Sequence, residues 1–150
     1  MVLRKRRGYT VATNVCRWVL ALVLIVSGFV KAVDPVGSMY KLQEYVEVFS
    51  LGAFSDEFLM LAAMLQAALE FLLGISLLMG IYRKFVTWFT PLVMLFFTVL
   101  TFVIYRGDMV ADCGCFGDAV TLSNGETFAK NVLLLLLSLV VFLGRRRLVY

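Results

Sequence analysis

Four long apolar runs, each bounded by charged or turn-forming residues, dominate the chain. They cover about 15–33 (VCRWVLALVLIVSGFVKAV), 58–80 (FLMLAAMLQAALEFLLGISLLMG), 85–105 (FVTWFTPLVMLFFTVLTFVIY) and 127–144 (TFAKNVLLLLLSLVVFLG). A helix needs about 20 apolar residues to cross a ~30 Å hydrocarbon core, and each run meets that requirement, the fourth narrowly. Pro91 lies near the start of the third run and is expected to kink it. Between the first two runs the pattern changes. Asp34-Pro35 reads as a helix start, with Asp as N-cap and Pro in the first turn. Met39, Leu42, Val46 and Phe49 then recur at spacings of three and four, with Lys41, Glu44 and Glu47 on other faces. This is an amphipathic helix lying against the outer surface. It either covers the bundle or forms one wall of a site. The expected fold is all-α: an integral membrane four-helix bundle with a short amphipathic outer helix between spans one and two. Residues 1–150 form a single four-span domain.

Composition agrees. The chain is 62% hydrophobic and only 16% charged, against about 45–50% apolar residues in soluble domains. Its mean hydropathy is +0.94. The net charge of +4 does not point to nucleic acid, because the basic clusters Arg4–Arg7, Arg83-Lys84 and Arg145–Arg147 each border an apolar run. They read as topology signals and lipid-headgroup contacts. Segments 1–17, 81–84 and 144–150 together hold ten of the fourteen basic residues and no acid. Segments 31–57 and 106–130 are acidic on balance. The positive-inside rule therefore places both termini and the 81–84 turn in the cytoplasm. The amino-terminal basic residues and the apolar stretch 18–30 imitate a signal peptide. No A-x-A cleavage site follows, so the segment reads as a retained first helix.

The alternation puts ADCGCFGD (111–118) on the outer side, which in a bacterium is the periplasm, where thiols are readily oxidised. Cys113 and Cys115 are separated only by Gly114. A bridge between them requires a bent chain, which Gly114 permits. The ring would be small and strained, and strained exposed disulfides tend to be labile and oxidising. A stapling role is weak, since entropy gained by a crosslink grows with loop length. A metal site is also weak: there is no histidine, and two thiolates make half a structural zinc site. Asp112 and Asp118 flank the pair and would disfavour a thiolate. Arg106, Lys130 and the start of span four, where Ser123 and Glu126 have capping-box spacing, would oppose that effect. One aspartate is instead a candidate proton acceptor. Cys16 lies too far away to resolve the pair and reads as a packing residue.

Glu70 is the single acid within a span. A buried ionisable group in a bilayer is costly and faces the bundle interior with a partner. Lys31 and Lys130, near the outer ends of spans one and four, are the candidate partners, and Gln66 and Ser76 share its side of span two. The pair is either structural or part of proton or quinone handling below the thiol loop.

Three stretches, SGFVKAVDPVGSMYKLQEY (27–45), LEFLLGISLLMG (69–80) and DCGCFGDAVTLSNGETFAKN (112–131), resemble the DoxX-like branch of small four-helix membrane proteins. The last is especially similar to DoxX/MauE-type proteins of Bacteroidetes. The resemblance covers roughly residues 15–144 and implies a four-helix bundle in the inner membrane. That architecture is similar to the cores of vitamin K epoxide reductase and the DsbB disulfide-forming enzymes, which pass electrons between cysteine pairs and a quinone. MauE-type proteins are linked to disulfide formation in a periplasmic enzyme subunit, and DoxD-type relatives belong to a thiosulfate:quinone oxidoreductase. Carried over, the resemblance implies Cys113 and Cys115 as the redox pair, with Lys31, Asp34, Glu70 and Asp118 at other motif positions. DsbB-type enzymes carry a second cysteine pair that is missing here.

Two functions follow from the residues and the resemblance. In the first, Cys113 and Cys115 are the catalytic pair of a thiol–disulfide redox protein. They exchange electrons with a periplasmic thioredoxin-like protein, with quinone as the candidate cofactor and with Asp112, Asp118, Glu70, Lys31 and Lys130 in support. In the second, the protein is a non-catalytic membrane subunit that anchors or assembles an envelope complex.

Overall fold

The computed structural model describes residues 2–48, 50, 52, 54–107 and 124–148. Five α-helices and a terminal 3-10 turn follow in order: α1 (Val2–Val33), α2 (Pro35–Val48), α3 (Asp56–Met79), α4 (Arg83–Gly107), α5 (Asn124–Leu143) and Arg145–Arg147. No strand occurs among the described residues. The result is a helical membrane bundle.

α1 begins well before the expected residue 15. At 1.5 Å per residue its 32 residues span about 48 Å, longer than the hydrocarbon core. Polar side chains fit this extension because they turn back on the helix. Thr13 donates to the carbonyl of Tyr9 and Asn14 to that of Thr10, both at 2.8 Å. Arg7–Val33, Asp56–Met79 and Arg83–Leu100 are each long and apolar enough to cross a membrane. The fourth apolar stretch, Phe128–Leu143, is shorter. α4 runs without a break through Pro91, and Thr87 and Thr90 bond back to the carbonyls of Arg83 and Val86 at 2.7 Å.

α2 and α3 start as local chemistry dictates. The Asp34 carboxylate accepts from the Gly37 amide at 3.0 Å, an N-cap with Pro35 at the first position. Ser55 caps α3 by accepting from the Phe58 amide, and Asp56 and Glu57 suit the positive end of the helix dipole. Gly80 ends α3 at φ 78°, a left-handed C-cap that glycine adopts without a Cβ penalty.

One stripe of α1 carries the packing: Thr13, Arg17, Leu20, Leu24, Ser27 and Lys31 are all buried, at alternating steps of four and three. α1 lies antiparallel to α3, and glycines hold them close. A Cβ on Gly28 would sit 2.6 Å from the Phe71 amide nitrogen, and one on Gly74 would sit 2.8 Å from that of Ile25. Such approach of small residues is how helices pack tightly where lipid offers no hydrophobic drive. α5 packs against both α1 and α4. Thr98 on α4 donates to the Asn131 carbonyl on α5 at 3.3 Å, and Phe102 meets Phe128 with ring centroids 5.5 Å apart.

The antiparallel order gathers the start of α1, the α3–α4 turn and the end of α5 at one end, rich in basic residues. There Arg83 donates to the carbonyls of Arg145 and Leu148 at 3.0 and 3.2 Å. The opposite, acidic end holds α2, the end of α4 and the start of α5.

Candidate functional site

A charged pair lies where α1 and α3 cross. Lys31 Nζ stands 2.6 Å from Glu70 Oε1, and Ser27 Oγ donates to Glu70 Oε2 at 2.7 Å. Lys31, Glu70 and Ser27 are 6%, 3% and 6% exposed. Helix geometry explains the arrangement. Ser27 lies across from Glu70, and Lys31 sits one turn nearer the acidic end. A helical side chain tilts toward its own N-terminus, so Lys31 reaches back to the carboxylate. Its ammonium also lies 5.7 Å from the centre of the Phe97 ring on α4. Both carboxylate oxygens are thus engaged, which a buried ion pair requires before attraction can offset desolvation. Gln66 and Ser76 were expected on its side of the helix; the hydroxyl that reaches the carboxylate is Ser27 of α1.

Beside this pair is a cavity of about 770 Å³. Its walls are α2 (Ser38, Lys41, Leu42, Tyr45, Val46), α3 (Leu59, Ala62, Leu65, Gln66, Leu69) and α4 (Leu92, Val93, Phe96, Phe97, Leu100), and Lys31 reaches it from α1. Leu65, Leu92 and Phe96 on its rim are 62%, 48% and 65% exposed. Their apolar faces turn toward lipid, so the cavity opens sideways between α3 and α4. α2 is therefore more than a cover for the bundle: it forms one wall of this space. The Asp34 cap turns the chain sharply out of α1, and Ser38 Oγ donates to the Asp34 carbonyl at 3.3 Å. The Lys31-x-x-Asp34-Pro35 stretch thus supplies the pairing cation and the bend that swings α2 over the cavity.

A far smaller space lies on the other side of the pair, lined by Ser27, Lys31, Glu70, Lys130 and Asn131 among others. Lys130 is thereby close to Glu70, while the direct ion pair is made by Lys31.

The family model described as methylamine utilisation protein MauE matches residues 9–144. The chain belongs to this family. No curated protein and no solved structure matches it. In this MauE-family chain Lys31, Glu70 and Lys130 come together at one level of the bundle. Cys113, Cys115, Asp112 and Asp118 lie outside the described residues, as does Ser123 of the expected capping box. Cys16 is half-buried against the apolar core, a packing position. Among the described residues no group of three acids or thiols could hold a metal.

Arg17 has a part that the sequence reading assigned to topology alone. It is 2% exposed, and its guanidinium donates to the carbonyls of Leu77 and Leu78 at 3.1 and 3.3 Å. A cation here satisfies the last turn of α3 and its negative dipole end. The clue was available in spacing: Arg17 and Lys31 lie two heptads apart on one stripe, with Leu20 and Leu24 between them.

Proposed function

We propose that this MauE-family protein is a thiol–disulfide redox protein of the bacterial inner membrane. It crosses the membrane four times, with α5 as the short fourth span and both termini cytoplasmic. Residues 1–150 act as one domain. The periplasmic Cys113-Gly114-Cys115 pair exchanges electrons with a thioredoxin-like protein, and a membrane quinone is the second partner. Exchange proceeds by attack of a thiolate on a disulfide sulfur, through a mixed disulfide that the second thiol resolves.

One observation carries this reading: the buried Lys31–Glu70 pair borders a 770 Å³ cavity. Both belong to the half of the bundle from which α4 and α5 run to the segment bearing the cysteines. A pure anchor needs neither an intramembrane ion pair nor a space of ligand size. Charge placement supports the orientation, since the basic residues gather at the end opposite that segment.

The test is trapping. The reduced full-length protein is mixed with a thioredoxin-like protein whose resolving cysteine is replaced by serine and whose remaining cysteine is activated as a mixed disulfide with 2-nitro-5-thiobenzoate, which leaves as the thiolate when a cysteine attacks. The Cys113→Ser and Cys115→Ser variants should differ, one accumulating the mixed disulfide and the other not. If neither forms it and the double variant still supports growth under oxidative and reductive stress, the protein is a non-catalytic subunit.

A further inference from the structure

The cavity between α3 and α4 has the size, entrance and lining of a ligand site. Its volume of about 770 Å³ falls within the ~300–1,000 Å³ of small-molecule pockets. Its rim is exposed on the lipid side, so an occupant enters from the bilayer.

Charge narrows the choice of occupant. The two cations on its lining are both matched by carboxylates: Lys31 by Glu70 at 2.6 Å and Lys41 by Glu44 at 3.5 Å. An anionic lipid headgroup would have to compete with those carboxylates, whereas a neutral headgroup does not. Hydrogen-bonding capacity remains. An ammonium carries three donors, and Lys31 gives one to Glu70 while lining the cavity. Gln66 adds an amide. Phe96 and Phe97 of α4 offer aromatic surface, and every lining residue from α4 is apolar. The matching chemistry is a flat, uncharged ring with carbonyl acceptors on an apolar tail.

We infer that this lateral cavity is the binding site of a prenylated quinone, with Lys31 donating to a quinone oxygen and Glu70 holding Lys31 in position. The inference rests on the redox reading above and names where its membrane partner sits. A bound quinone takes two electrons and two protons to become a quinol. A dithiol that closes to a disulfide releases the same two electrons and two protons, so no other oxidant is needed.

The full chain in zwitterionic nanodiscs is photolabelled with an azido derivative of decylubiquinone. Label should fall on peptides of α3 and α4 that border the cavity, and unlabelled decylubiquinone should chase it. Ala62→Phe fills the space and should cut labelling at least tenfold. Lys31→Met/Glu70→Leu removes both charges together, keeps the helix seam apolar and should weaken binding at least tenfold. Label outside these peptides, chase by phosphatidylglycerol in place of the quinone, or full labelling of the Ala62→Phe variant overturns the site. The Cys113→Ser/Cys115→Ser protein should label as the native chain does. Cavity labelling without thiol exchange leaves the site and ends the redox reading, and thiol exchange with an unlabelled cavity does the reverse.

Discussion

α3 meets α1 and α4 on different faces, and the two contacts are built differently. Toward α1 it presents Ala63, Ala67, Glu70 and Gly74, all buried. There the backbones approach until a single added Cβ at Gly28 would lie 2.8 Å from the Ala67 carbonyl oxygen. Toward α2 and α4 it presents Leu59, Ala62, Leu65, Gln66 and Leu69, and these line the cavity. The faces differ in residue size and in polar content. Small residues close the first seam and let a charged pair be enclosed within it. Large side chains on α4 hold the second seam apart, and α2 roofs the gap. Rigidity and space thus occupy different faces of one helix, which is how a bundle this small can keep a fixed ion pair beside an open site.

The contrast can be broken in graded steps, each read as unfolding of the purified protein in mixed detergent micelles followed by circular dichroism. Lys31→Met should have the largest effect. It leaves the Glu70 carboxylate buried without its cation, at a cost of about 3–5 kcal/mol, and the added Glu70→Leu change should recover most of the loss. Recovery of none would mean that the pair does not act as a unit.

Next comes Ala67→Phe against Ala62→Phe. Ala67 is 1% exposed on the tight seam, so a phenyl ring there should overpack the core and cost roughly 1–3 kcal/mol. Ala62 lines open space, and the same change should stay within about 0.5 kcal/mol, as for substitutions without a packing conflict. Equal costs would erase the distinction between the faces. Gly28→Ala sharpens it further. Alanine is favoured over glycine in a helix by roughly 0.8–1 kcal/mol. The clash falls on backbone atoms that cannot step aside, so net destabilisation is expected. The most local effect belongs to the roof. Asp34→Ala removes the N-cap of α2 and should cost about 1 kcal/mol, with faster amide hydrogen exchange confined to residues 35–40.

The periodic apolar runs, the charge asymmetry and the Asp34-Pro35 start made the helices and the α2 interruption legible in the sequence. The helix ends were less so. The apolar run stops at Val15, but the backbone of α1 continues because Thr13 and Asn14 satisfy themselves locally. The need of Glu70 for a lysine followed from the cost of burying a charge. That Lys31 makes the pair depends on the antiparallel register of α1 and α3, which the glycine contacts fix and no linear pattern reveals. The cavity was not legible either, because it arises from how three helices diverge. Arg17 shows the opposite failure: its heptad position was visible, yet its charge suggested only topology.

The central claim concerns Cys113 and Cys115, and their midpoint potential tests it most directly. The full-length protein in nanodiscs is equilibrated across a series of glutathione or dithiothreitol redox buffers, and the thiols are counted by alkylation and mass spectrometry. A redox centre should titrate as a two-electron couple above about −300 mV, within reach of thioredoxin-like partners. A couple below about −300 mV, the range of stable structural bridges, or a pair that never closes, would contradict the account.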